Sequence, residues 1–300
     1  MKKLFKSIYS AIPFKKQLFT LLKSVYKPSK SLYQHLHFKG IFKVKINNES
    51  SFKVKHYGHQ VENEIFWNGL FNGWEKVSLQ IWAELCSNAE EIIDVGANTG
   101  IYALIAKAVR PNARVIAIEP VKRVCDKLRR NIELNEFDIL PLEKAMSNYT
   151  GKATIYDKDT DHTYSVTVNK DLSSDKESSL AVEIDTIRFE EVVEKEGLSK
   201  VDLMKIDVET HEAEALEGMG KYLNEFQPTM LIEILNDEVA NAIHQLIKDI
   251  DYVYYVIDEN SGVKKVDSLR KSDYFNFLIC KQEVADSLSV LKAFEKSYSS

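Results

Sequence analysis

Carboxylates at the ends of two apolar segments have the chemistry to bind a polar ligand. The first belongs to the turn Asp94-Val95-Gly96-Ala97-Asn98-Thr99-Gly100. Gly96 permits a tight turn, Gly100 permits a close approach, and amides at the start of the following helix favour an anionic or polar group. Glu119 ends the next apolar segment. A carboxylate there can accept hydrogen bonds from both hydroxyls of a ribose.

A second polar group lies further along the chain. Lys205, Asp207 and Glu209 alternate along one apolar segment, so their side chains project to the same side of a strand. Asp207 or the following His211 could act as a general base. Alternatively, Asp207 and Glu209 could hold a divalent ion that acidifies a hydroxyl. The sequence favours a reaction without a metal ion, because no third oxygen ligand is apparent at a suitable spacing.

Other spacings argue against several kinds of protein. The turn after Asp94 reads GxxxG and lacks the GxGxxG cradle of a nicotinamide site. The three cysteines, Cys86, Cys125 and Cys280, are far apart and show no metal or redox pattern. Unpaired cysteines are typical of a reducing compartment, so we expect a cytoplasmic protein. No apolar run approaches the roughly 20 residues needed to span a bilayer.

Strands and helices alternate from Glu91 onward, which predicts a parallel sheet with right-handed crossovers. Helices are expected at 73–87, 97–109, 121–135, 211–219 and 238–246. Strands are expected at 91–96, 114–120, 140–146, 201–209, 229–235, 252–258 and 274–280, with the last two as a hairpin. An insertion at 151–185 interrupts this order. Within it, 153–157 and 165–169 could pair, and we interpret the insertion as a substrate lid.

In combination, these motifs resemble one enzyme family. DVGANTG, the strand-terminal Glu119, KIDVE at 205–209 with HEAEALEGM after it, and LIEI at 231–234 resemble the FkbM-family methyltransferases. These are class I enzymes that use S-adenosylmethionine. The resemblance runs from about Glu75 to Cys280. It implies a doubly wound, mostly parallel, seven-stranded Rossmann-like sheet with an antiparallel last strand and an N-terminal helical and β extension.

The resemblance also implies roles for individual residues. Asp94, Gly96, Asn98 and Gly100 would line the methionine and ribose of the cofactor, Glu119 would bind the ribose hydroxyls, and Ala145 would lie near the adenine. One departure is Thr210, which stands where the family has a glycine. A threonine has less backbone freedom at that turn.

The resemblance implies O-methylation of a hydroxyl on a sugar, glycan or secondary metabolite. Asp207, Glu209 and His211 are then the candidate catalytic residues. One alternative is a catalytically impaired cofactor-binding or scaffold protein of the same fold, which Thr210 would favour. The other is a nicotinamide-dependent oxidoreductase, which the missing GxGxxG disfavours.

Charge divides the 300 residues unevenly. Residues 1–48 contain eleven lysines and no acid, and because the whole chain carries −5, residues 49–300 carry −16. The acidic body argues against nucleic-acid binding. Leu4, Phe5 and Ile8 begin a helical spacing of apolar residues, which Leu18 and Leu21 resume. This predicts peripheral contact of residues 1–30 with an anionic membrane or an anionic polymer; the alternatives are a helix packed on the body and a partly ordered arm.

These observations divide the chain into three parts. Residues 1–72 form the basic extension, with an amphipathic helix and short strands. Residues 73–281 form the methyltransferase domain with its insertion at 151–185, and residues 282–300 form a C-terminal helix and tail. The cofactor site falls wholly within the second part.

Overall fold

The computed structural model describes residues 14–158 and 179–298, and its first elements build a layer of short helices around a hairpin. These are α1 (Lys15–Val25), α2 (Lys30–Tyr33), β1 (Gly40–Lys45), β2 (Ser51–His56) and α3 (Gln60–Asn68). β1 and β2 pair antiparallel, with Phe42 opposite Val54. Both of these side chains are buried, whereas Ile41, Lys43 and Lys45 point outward, as the two-residue period of a strand requires.

The first half of the α/β body follows the predicted order. Its elements are α4 (Lys76–Cys86), β3 (Glu91–Val95), α5 (Ile101–Val109), β4 (Arg114–Ile118), α6 (Lys122–Asn135) and β5 (Ile139–Leu142). β3, β4 and β5 are parallel, with Asp94 opposite Ala117. α6 buries Val124 and Leu128, which lie four residues apart on one face of the helix.

The insertion forms a separate three-stranded sheet. It contains β6 (Ala145–Met146), β7 (Gly151–Lys158) and β8 (Ser179–Ile187), in the order β6-β8-β7. The single strand predicted at 140–146 is therefore wrong: the chain turns where the Lys144 amide donates to the Leu142 carbonyl, 3.0 Å away, and the two ends join different sheets. The segment 153–157 pairs with β8, and its predicted partner 165–169 lies outside the described residues.

The chain then returns to the central sheet. The remaining elements are α7 (Phe189–Glu196), β9 (Leu203–Ile206), α8 (Glu212–Glu217), α9 (Tyr222–Phe226), β10 (Thr229–Glu233), α10 (Asp237–Ile247), β11 (Val253–Asp258), β12 (Gly262–Val266), β13 (Asn276–Cys280), α11 (Gln282–Ser287) and α12 (Ser289–Tyr298).

The central sheet has the order β12-β11-β13-β10-β9-β3-β4-β5. The five strands from β10 to β5 are parallel, and β13 lies antiparallel between β10 and β11. The predicted doubly wound, mostly parallel Rossmann-like sheet is confirmed. The sheet has eight strands instead of the expected seven, because β12 pairs with β11 and adds an edge strand. Its sequence, GVKKV, is too polar to read as a buried strand.

Both faces of this sheet are buried, as is usual for parallel strands. Ile92 packs in the apolar layer on one face and Ile93 in the layer on the other. The first layer also contains Phe42 and Val54 of the hairpin. The extension and the α/β body therefore share one hydrophobic core across residue 72. None of the helices in the described ranges has the length and apolar character needed to cross a bilayer.

Candidate functional site

A cleft opens at the carboxyl ends of β3, β4 and β9. β4, the next strand of this sheet along the chain, lies on one side of β3, and β9 lies on the other side. The strand order therefore reverses at β3. Open α/β sheets bind their ligands at such a reversal.

The floor of the cleft is a close contact between two loops. Gly96 has a φ of 78°, and a Cβ placed there would lie 1.8 Å from the carbonyl oxygen of Asp207. The Asp207 amide donates to the Val95 carbonyl at 3.0 Å. Only glycine allows the loops after β3 and β9 to meet at this distance.

Asp94 fixes the start of α5 from beneath. Its side chain is buried, and Oδ2 accepts a hydrogen bond from the Ala103 amide at 3.0 Å. Burial raises the pKa of Asp94 to about 7, although the ammonium of Lys205 opposes the shift. Asp94 also lines the cleft, so a titrating carboxyl stands at its floor near neutral pH.

Asn98 and Glu119 provide the acceptor groups of the cleft. Glu119 is buried, with Oε2 accepting from the Asn98 amide at 3.0 Å and Oε1 from the Val121 amide at 2.9 Å. Each oxygen keeps a further lone pair. Asn98 has a left-handed φ of 51°, and nothing in the described ranges satisfies its buried Oδ1. These three oxygens fit a ligand that donates several hydrogen bonds, as a ribose or an amino acid does.

An apolar wall faces these acceptors. Ala145 of β6 lines the cleft together with Ile155 of β7 and Ile184 of β8. The two isoleucines come from the predicted lid, and sequence reasoning did not single them out. Their alternation with polar residues in the insertion was the available signal.

Gly100 has a packing role at the start of α5. It precedes α5 with a φ of 92°, and a Cβ there would lie 2.5 Å from Leu128 Cδ1. Gly100 is not among the residues lining the cleft. Its close packing against α6 explains why a glycine stands there.

A buried lysine joins the acidic residues at the other end of the cleft. Lys205 is 1% exposed, and its Nζ donates to Asp207 Oδ2 at 3.2 Å. Nζ also lies 5.1 Å from the ring centre of Tyr102, whose hydroxyl donates to Glu75 Oε2 at 2.5 Å. Burial lowers the pKa of Lys205, but the carboxylates of Asp207, Glu75 and Glu233 outweigh it and raise the pKa overall. The lysine therefore stays an ammonium ion.

Glu75 and Glu233 belong to this cluster although they were not among the predicted site residues. Burial raises the pKa of Glu75 to about 7. Burial and then the charge of Asp207 raise the pKa of Glu233 to about 9. Glu75 precedes α4 with a left-handed φ of 44°. Its place beside Trp74 carried no spacing signal, whereas Glu233 lies in the motif LIEI at the end of β10 and was readable from that motif.

The loop after β9 carries the three predicted catalytic residues. Asp207, Glu209 and His211 all line the cleft. Glu209 and Thr210 have φ values of 55° and 80°, two consecutive left-handed residues. Glu212 holds this turn, since its Oε1 accepts from the Thr210 amide at 3.2 Å. Strained backbone of this kind concentrates at functional sites.

His211 is positioned by Ser147, which directly follows β6, and by Glu214 of α8. Its Nε2 lies 3.0 Å from Ser147 Oγ, and its Nδ1 lies 3.6 Å from Glu214. Burial lowers the pKa of His211, so the ring is a neutral imidazole at pH 7 and can accept a proton. Within the described ranges, no group of three or more His, Cys, Asp or Glu side chains is arranged to hold a metal ion.

Fold, cleft and acidic strand ends together define a class I methyltransferase-like protein. Residues 94–254 match the family model of the methyltransferase FkbM domain. The match covers more than half of the chain, and the chain therefore belongs to the FkbM methyltransferase family.

Two curated relatives are methyltransferases. Methyltransferase sdnD of Sordaria araneosa is 29% identical over 187 residues, which cover 53% of this chain and 71% of the relative. Hexuronic acid methyltransferase AglP of Haloferax volcanii is 27% identical over 184 residues, 56% of this chain and 72% of the relative. The solved FkbM methyltransferase of Methylobacillus flagellatus is 17% identical with a TM-score of 0.41; the match covers 64% of this chain and 43% of that one.

Proposed function

We propose that the protein transfers a methyl group from S-adenosylmethionine to a hydroxyl of a sugar, glycan or secondary metabolite. The observation that carries the proposal is that Glu119, which accepts from the Asn98 amide, and the unsatisfied Oδ1 of Asn98 lie together at the carboxyl ends of β3 and β4. Family membership supports methyl transfer. The relative named as a hexuronic acid methyltransferase supports a sugar acceptor.

The residues of the cleft fit the parts of this cofactor. Glu119 accepts hydrogen bonds from the ribose hydroxyls, and Asn98 Oδ1 accepts one from a donor of the same molecule. Ala145, Ile155 and Ile184 supply an apolar wall for the adenine. When bound, the cofactor supplies an electrophilic methyl group on a cationic sulfonium. The carboxylates around the cleft favour that positive charge over a neutral ligand.

Asp207 is placed to take the proton of the acceptor hydroxyl. Its side chain is 30% exposed and lines the cleft, so an acceptor can reach it. Lys205 donates to one carboxylate oxygen and leaves the other for the hydroxyl. As the acceptor oxygen takes the methyl group, its O–H bond breaks and the proton passes to Asp207. His211, neutral at pH 7, is the second candidate for this role. The sulfur of the cofactor would keep the electron pair of the broken carbon–sulfur bond and leave as neutral S-adenosylhomocysteine.

Glu233 has a different task from Asp207. With a pKa raised to about 9 by burial and by Asp207, it holds its proton at neutral pH. It therefore does not serve as the base that removes the proton. Positioning of two substrates supplies much of the acceleration in a displacement of this kind.

Calorimetric titration of the purified protein tests the proposal. S-adenosylmethionine should bind and NAD should not. Glu119→Gln should weaken S-adenosylmethionine binding roughly 10–100-fold, since charged hydrogen bonds are worth about 1.5–3 kcal/mol. Glu133→Gln is the matched control, because Glu133 is 68% exposed on α6 and far along the chain from the cleft motifs. Binding of NAD in place of S-adenosylmethionine would overturn the proposal.

A further inference from the structure

The outward face of α1 presents an apolar stripe to solvent. Phe14, Leu18, Leu21 and Val25 follow one another at spacings of four, three and four residues, and they are 74%, 53%, 66% and 79% exposed. This spacing places them on a single side of the helix. A run of large exposed apolar side chains on one helix face marks an interaction surface.

The stripe is not the face that attaches α1 to the protein. Phe19 is buried, and its ring centre lies 5.5 Å from that of Trp67 and 6.5 Å from that of Phe38. Lys23 Nζ lies 5.3 Å from the ring centre of Phe66. Helical geometry puts Phe19 and Lys23 on the side opposite the stripe. The helix is therefore held in place by one face and leaves the other uncovered.

The segment that carries this stripe is rich in lysine. Residues 14–48 contain eight lysines and no aspartate or glutamate. The outer face of the hairpin continues the charge, and Lys43 stands directly opposite Lys53 in the register. Like charges in that position cost stability unless an anion lies nearby. The Lys16 side chain lies beside Gly40 and so brings α1 next to this hairpin.

We propose that α1 and the lysines of residues 14–48 other than Lys23 form a docking surface for an anionic phospholipid bilayer. The stripe enters the boundary between headgroups and acyl chains, as interfacial amphipathic helices do. The lysines then interact with the lipid phosphates. A symmetric dimer through this surface is disfavoured, because it would place two identical basic patches against each other.

Vesicle flotation of the full chain tests the proposal. The protein should float with vesicles of phosphatidylcholine and phosphatidylglycerol and remain behind with phosphatidylcholine alone. Added salt should release it, because salt screens lipid charge. Replacing Leu18 and Leu21 together by serine should lower the partition coefficient about a hundredfold. Lys43→Gln should lower it about fivefold, which corresponds to about 1 kcal/mol.

The matched control is Phe275→Ser. Phe275 is also an exposed apolar residue, 46% accessible, but it lies just before β13 on the central sheet. This variant should bind vesicles as the wild type does. Since all these side chains are exposed, urea unfolding should show that the variants remain folded.

Four results would overturn the proposal. The first is equal binding of the wild type to both kinds of vesicle. The second is unchanged binding in the Leu18 and Leu21 variant. The third is a wild type that sediments as a dimer, floats with neither vesicle and becomes monomeric when the leucines are replaced; that result assigns the surface to a second copy of the chain. Binding to heparin without binding to vesicles would likewise assign it to an anionic polymer.

Discussion

Lys205 Nζ lies 3.2 Å from Asp207 Oδ2, in a pair whose lysine is 1% exposed and whose aspartate is 30% exposed. The pair thus joins the interior of the sheet to the wall of the cleft. One positive charge balances several carboxylates, because Glu75 and Glu233 also raise the pKa of Lys205. The balance makes this lysine important for both stability and chemistry.

Replacing Lys205 by methionine should destabilise the fold by about 3–5 kcal/mol, because buried carboxylates lose their counter-charge. Urea unfolding should show a larger loss at pH 8 than at pH 5, where more of these carboxyls are protonated. Lys152→Met is the control: Lys152 is exposed and paired with Glu183, and its loss should change little. Equal losses at both pH values would contradict the assignment.

Asp207→Asn should leave cofactor binding intact and lower kcat about 10²–10⁴-fold, as expected for loss of a general base. Calorimetry measures the binding, and transfer of a labelled methyl group to the acceptor measures kcat. His211→Asn is the companion variant. Full turnover in the Asp207 variant, with loss in the His211 variant, would assign proton removal to His211.

The pKa of Asp94 predicts how stability changes with pH. Because burial raises it to about 7, from an ordinary value of 3.8, the folded state binds more protons than the unfolded state between these values. Its contribution to stability is complete below about pH 4 and is lost as pH rises towards 7. Asp94→Asn, which can keep the hydrogen bond to Ala103, should flatten this decline in urea unfolding of the protein alone. An unchanged slope would show that Asp94 does not titrate there.

The threonine at position 210 occupies a backbone conformation that favours glycine. Thr210 has a φ of 80°, which costs a β-branched residue about 1–2 kcal/mol. Thr210→Gly should therefore stabilise the protein by a net 0.5–1 kcal/mol, roughly, after the entropy of glycine in the unfolded chain. The control is Thr154→Gly in β7, which should destabilise by about 1 kcal/mol. Thermal unfolding compares the two.

Gly96 should tolerate no side chain. Gly96→Ala places a Cβ 1.8 Å from the Asp207 carbonyl oxygen, at a φ of 78°, and should cost more than about 3 kcal/mol. Gly197 also has a positive φ, of 63°, but nothing lies within 4 Å of its Cβ position. Gly197→Ala should cost only about 1–2 kcal/mol. Similar losses of stability in the two variants would show that backbone strain alone explains the need for glycine at position 96.

Sequence patterns predicted the parts of the fold that are determined by residues close together in the chain. The parallel strands around Asp94 and Glu119 were predictable because buried strands are continuous apolar runs. β12 and the split at Lys144 were not predictable, since pairing at a sheet edge depends on distant strands. The position of Glu75 beside the cleft cluster was likewise not predictable, because Lys205, whose charge acts on it, is distant in sequence. Gly100 shows the reverse case, where a motif glycine serves packing against Leu128.

The side chain of Asn131 limits where the chain can be shortened. It is fully buried on α6; its Nδ2 donates to the Thr99 carbonyl at 2.9 Å, and its Oδ1 accepts from the Lys55 amide at 3.0 Å. One amide therefore ties β2 to the loop that carries Asn98. A protein that lacks β2 would leave the buried Asn131 Oδ1 unpaired beside the loop after β3, so a minimal domain has to begin before Ser51.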